Sequence, residues 1–117
     1  MHDAAKVLFG QLSADVETYT KSMSRSVRDA LPSAVTSELS PDRYDAVESA
    51  IREELQTLVW RFLCHFDNVG CHLPEQILGY TISAKLLEPE AMESQDIRVG
   101  KQDYSDMWLQ FASGRDA

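Results

Sequence analysis

Basic residues are scarce in this chain of 117. Lys and Arg total 11 against 19 Asp and Glu, a formal net charge of −8. That balance excludes a general nucleic-acid-backbone binder, which needs cationic side chains in excess on at least one face. Long apolar runs are missing too. None approaches the roughly 18 residues that cross a bilayer, so no membrane partner is expected. The opening Met1-His2-Asp3-Ala4-Ala5-Lys6 lacks the basic stretch and apolar segment of a secretory signal, which makes the cytoplasm the expected location. Two cysteines, Cys64 and Cys71, are too few for a disulfide-held secreted domain, so reduced thiols are expected. The glycines at 10, 70, 79, 100 and 114 form neither a phosphate loop nor a dinucleotide fingerprint. A zincin motif and a nucleophile elbow are likewise missing, and no cofactor is implied.

What is present is helical periodicity. Leu8, Leu12, Val16, Tyr19, Met23, Val27 and Leu31 recur at steps of four and three. They predict one amphipathic helix from Asp3 to Leu31, stopped by Pro32, which disfavours helical geometry in the residue before it. Such a helix would be about 42 Å long at 1.5 Å per residue, more than the width of a small domain. Either it breaks near Gly10 or part of its stripe packs on another chain, which allows a homo-oligomer through this helix. Residues 33–39 read as a short connection with room for one helical turn. Ser40-Pro41-Asp42 then combines a capping hydroxyl, a proline suited to the first turn and an acid suited to the positive helix end. The stripe Tyr44, Val47, Ile51, Leu55, Leu58, Phe62 and Phe66 follows, widened late by Val59 and Leu63. Its first half is expected to be half exposed and its second half the centre of the core. Asp67-Asn68-Val69-Gly70 reads as the stop.

Beyond this the period changes. Residues 79–86 alternate apolar with polar, as a strand with one buried face does. Ile97 and Val99 suit a second short strand. Asp103 suits the cap of a last helix in which Tyr104, Met107, Trp108 and Phe111 share a face. The expected fold is a single α+β domain, predominantly helical, with two long helices, a small β-hairpin and a C-terminal helix. Two strands alone are marginal, so they must lie on the helices.

Two features carry chemical content. Cys64-His65 and Cys71-His72 supply the donor types of a zinc site or of a thiol enzyme. Their spacing is not that of a zinc finger, and neighbours on a helix point about 100° apart, so Cys64 and His65 do not readily share an ion. The bland reading places Cys64 in the core, His65 outward and the other pair in a loop. The second feature is charge. Residues 38–54 carry six acids against Arg43 and Arg52, and residues 88–106 carry six against Arg98 and Lys101. The remaining acids and bases cancel, so the whole excess lies in these two stretches. They form either a solubilising surface or a face that steers a basic protein partner. In the second case the contacts are Asp42, Asp45, Glu48, Glu88, Glu90, Glu93, Asp96, Asp103 and Asp106. Trp108 then either anchors the interface or seals its helix against the core.

The residues from 58 to 111 carry a resemblance. An apolar helix end enters Phe66-Asp67-Asn68-Val69-Gly70, a short segment Gly79-Tyr80-Thr81-Ile82 follows, and Asp103-Tyr104-Ser105-Asp106-Met107-Trp108 closes the chain. This arrangement resembles small acidic bacterial immunity-type proteins of polymorphic toxin systems. The resemblance implies a cytosolic, non-enzymatic protein that blocks a toxin by binding it, and it carries over no individual functional residue. The alternatives are a helical oligomerisation or adaptor protein, and a small metal or thiol enzyme centred on Cys64, His65, Cys71 and His72.

Overall fold

The computed structural model describes residues 3–67, 80–85, 94–98 and 102–114. Four helices and one antiparallel strand pair occur among them: α1 (Asp3–Ala30), α2 (Ser33–Thr36), α3 (Pro41–Phe66), β1 (Ser83–Lys85), β2 (Ser94–Asp96) and α4 (Tyr104–Ala112). This is the predominantly helical α+β architecture expected from the sequence.

Helix α1 runs unbroken through Gly10, so the break is not how the chain accommodates its length. A Cβ added at Gly10 meets nothing within 4 Å. Gly10→Ala therefore removes backbone entropy from the unfolded chain without a clash. The variant is expected to gain about 0.4–1 kcal/mol in urea denaturation. Pro32 and the α2 turn reverse the chain, and α3 starts where expected. The Ser40 side chain accepts from the Arg43 amide at 3.4 Å, with Pro41 in the first turn. Helices α1 and α3 form an antiparallel hairpin. Its register is marked by Glu17 paired with Arg52 and by the Arg28 guanidinium 4.1 Å from the centre of the Tyr44 ring.

The core fills only one end of that hairpin. Helix α4 and the strand pair pack there against the start of α1 and the end of α3. Ala5, Phe9, Leu63, Ile97, Tyr104, Met107 and Trp108 are fully enclosed. The Phe9 ring meets Trp108 edge-on at 5.8 Å, and Trp108 stacks on Phe111 at 6.3 Å. Towards the α2 turn no third layer covers the hairpin among the described residues, and the buried residues of its α1 side are Val16, Thr20 and Ser24. The molecule is accordingly elongated, 59 × 36 × 24 Å.

Three expectations change. The stripe of α3 does not form the core centre as a whole: Leu63 and Cys64 are buried, but Leu58 and Phe62 are 62% and 58% exposed. Helix α4 reaches α3 from one side, so residues on the other side are left uncovered. The second strand lies before Ile97, not around it. The Ile97 amide still donates to the Ile82 carbonyl at 2.9 Å, and Val99 is outside the described residues. Asp103 occupies the N-cap position of α4 but caps nothing with its side chain. That role falls to Asp67, at the C-cap of α3. Its two carboxylate oxygens accept from the Tyr104 and Ser105 amides at 3.0 and 2.9 Å. One carboxylate thereby ends one helix and starts another, as the exposed amides of a helix start require.

Candidate functional site

The sequence-predicted acids divide into three groups. On α3, Asp42 and Asp45 are exposed and make no ion pair among the described residues, while Glu48 is held by Arg52 at 3.1 Å. Glu17 also pairs with Arg52, and hydrogen bonding from that guanidinium lowers the Glu17 carboxyl below its ordinary value. Glu48 is therefore a strut of the hairpin more than a free contact. Glu53, one helical face along from Asp42 and Asp45, is exposed and unpaired.

The second group is internal. The Asp96 carboxylate accepts from the Arg98 backbone amide at 2.9 Å and from its guanidinium at 3.0 and 2.8 Å. It also accepts from the Tyr104 hydroxyl at 2.7 Å, and that hydroxyl accepts from the Ile82 amide at 2.7 Å. The Arg98 guanidinium lies 4.7 Å over the Tyr104 ring. Asp96 thus joins the strand pair to α4, a structural role that its reading as a partner contact did not include. Burial pushes its carboxyl upward, but the hydrogen bonds from Arg98 and Tyr104 together outweigh burial and leave it below the ordinary value. Asp103, by contrast, is raised by burial and by the nearby charges of Asp67 and Asp106.

These two shifts have opposite consequences. A lowered folded value makes Asp96 a source of stability that is complete above the unfolded value of about 3.9 and lost as pH falls through the folded one. A raised folded value makes ionised Asp103 a cost at neutral pH, relieved as pH falls through that value. Carboxyl NMR titration is expected to place Asp96 below and Asp103 above the ordinary aspartate midpoint. The reverse order would refute the network as described.

The third group, Glu88, Glu90 and Glu93, lies outside the described residues. Asp106 is exposed on α4. Trp108 is 1% exposed, and its indole N–H donates to the Gln56 carbonyl at 3.1 Å. It seals the core, which corrects its reading as an interface anchor. Cys64 is a buried free thiol and His65 is exposed, while Cys71 and His72 are outside the described residues. Among the described residues no group of three or more His, Cys, Asp and Glu side chains is placed to hold a metal ion.

Two surface depressions went unforeseen. A cleft of about 500 Å³ lies between α3 and α4, with Glu53 and Gln56 opposite Leu109 and Ala112. Longer is the groove between α1 and α3. It consists of three open depressions of about 530, 160 and 290 Å³. The first two share Leu12, Leu58 and Val59, and the last two share Leu55, so they join end to end. The signal for it was in the sequence: the stripes of both helices are wider than one neighbour can cover. Tyr19 and Met23 on α1 complete the exposed seam at 61% and 44%.

No protein-family model matches the chain, and the searches of curated proteins and of solved structures found no significant match.

Proposed function

We propose that this chain is a non-enzymatic binding protein, an immunity-type inhibitor whose acidic surface takes a basic protein partner such as a bacterial toxin. One observation carries the reading. The carboxylates Asp42, Asp45 and Glu53 stand exposed on one flank of α3 and form no ion pair among the described residues. Like charges along one flank make a negative potential that draws and orients a cationic surface. Carboxylates held at helical spacing also suit a cleft built for phosphates, whose positive lining they would occupy. Among the described residues no metal-holding cluster is placed, and the Asp96–Tyr104–Arg98 network, with the Ile82 amide, is occupied in joining the strand pair to α4.

The test is affinity capture from the native host's lysate, comparing the wild-type chain with Asp42→Lys, Asp45→Lys and Glu53→Lys combined. A stoichiometric basic protein is expected on the wild type. It should dissociate as salt rises and be lost from the variant, its association rate falling about tenfold or more with charge reversal. Equal capture by both chains would overturn the reading.

A second reading, self-association, rests on the exposed apolar seam of α1 at Tyr19, Met23 and Val27. A monomer mass independent of concentration in sedimentation equilibrium would dispose of it.

A further inference from the structure

The groove between α1 and α3 has the dimensions of a missing helix. On the α1 side it extends over fifteen residues, from Leu8 to Met23, and on the α3 side from Ala50 to Phe66. Fifteen residues of rise correspond to about 22 Å, or four helical turns. Two antiparallel helices with an apolar trough between them offer the ridges and grooves into which a third helix packs. Leu58 and Phe62, each more than half exposed, would be knobs for that helix.

Charge decides what kind of helix. The charged side chains lining the groove, among the described residues, are Asp15 and Glu54, both acids. The antiparallel register marked by Glu17–Arg52 brings them to nearly the same height on opposite rims. A second copy of this chain fits poorly. Two hairpins related face to face by a two-fold axis through the groove centre bring Asp15 against Asp15 if antiparallel. If parallel, they bring Asp15 against Glu54. Like charges at such a seam oppose association.

We infer that the groove receives an amphipathic helix of about four turns from a partner, with an apolar stripe at i, i+4, i+7 and i+11 flanked by Lys or Arg on both sides. The stripe fills the trough, and the flanking cations meet Asp15 and Glu54. This deepens the proposed function and rests on it: the basic partner is the same, and the inference adds a helix docked in the groove to the contact at the Asp42–Glu53 flank, which a four-turn peptide does not reach.

The test uses two synthetic helical peptides with the same leucine stripe, one flanked by Lys and the other by Glu. Binding to the full chain is measured by calorimetry at low and moderate salt. The Lys peptide is expected to bind with 1:1 stoichiometry and the Glu peptide far more weakly. Leu58→Ser with Phe62→Ser should weaken the Lys peptide about tenfold or more, as truncation of interface anchors does. Both positions are exposed, so the fold is expected to survive, and circular dichroism checks this. Asp15→Lys with Glu54→Lys should shift preference toward the Glu peptide, and Asp42→Lys with Asp45→Lys should change affinity little. If the Lys peptide is lost from that last variant and kept by the serine variant, the inference is overturned and the proposed function stands. If the Lys peptide binds no better than the Glu peptide, the inference is overturned, while the proposed function is decided by the lysate capture. A dimer that the serine variant dissolves would assign the groove to a second copy and also overturn the inference.

Discussion

Trp108→Ala is expected to cost about 3–5 kcal/mol, the range for truncating a fully buried aromatic residue. The indole is where α1, α3 and α4 meet. Its ring packs edge-on against Phe9 and stacks on Phe111, and its N–H satisfies the Gln56 carbonyl of α3. Removing it opens a cavity that rigid neighbours cannot close and leaves that carbonyl without its side-chain donor. A domain of this size has about 5–15 kcal/mol in total, so the variant should be largely unfolded at moderate temperature or in low denaturant. Trp108→Phe separates the contributions. It retains a ring against Phe9 and loses the hydrogen bond and some volume, for an expected cost of about 1–2 kcal/mol. Urea denaturation followed by circular dichroism measures both. A loss below about 1 kcal/mol for the alanine variant would contradict the placement of the indole at the centre of the core.

Asp67→Ala is the second large effect. Helix α4 has nine residues, fewer than an isolated helix needs in water, so it depends on its docking. Asp67 supplies acceptors to two of its free amides and a negative charge at its positive end. The expected loss is about 2–3 kcal/mol, above an ordinary cap because both oxygens are used and the bonds are charge-assisted. Asp67→Asn retains one acceptor and should lose about half as much. Hydrogen exchange gives the sharper readout. In the alanine variant the α4 amides should exchange much faster while those in the middle of α1 change little. Uniform acceleration along both helices would mean that α4 is not a separately anchored unit.

The linkage of Asp67 to α4 shows how the ionisable residues divide their work. Asp96, with Arg98 as its cation, and Asp67 hold the strand pair and α4 in place. Asp42, Asp45 and Glu53 pair with nothing among the described residues. Substitution at the first set should be read in stability, and at the second set in binding. Net charge alone would have assigned all five the same role.

Local interactions were legible in the sequence. Steps of three and four placed α1, α3 and α4, because a helix repeats its apolar face every 3.6 residues whatever it packs against. Pro32 and Ser40-Pro41 set helix boundaries through constraints confined to a few neighbouring residues. The alternation at Ile82 and Ala84 marked the strand face turned inward. The tertiary structure alone decided which apolar residues are covered. Periodicity tells that Leu58, Phe62 and Leu63 share an apolar surface; it cannot tell that α4 docks on the side of Leu63 and leaves the others exposed. Nor could spacing reveal that Asp67 caps a helix that begins 37 residues later, or that Asp96 pairs with Arg98 and accepts a hydrogen bond from Tyr104. Those pairings depend on how the hairpin, the strands and α4 are arranged in space. The α1–α3 groove follows from the same arrangement, since it is the apolar surface that the chain's described elements leave uncovered.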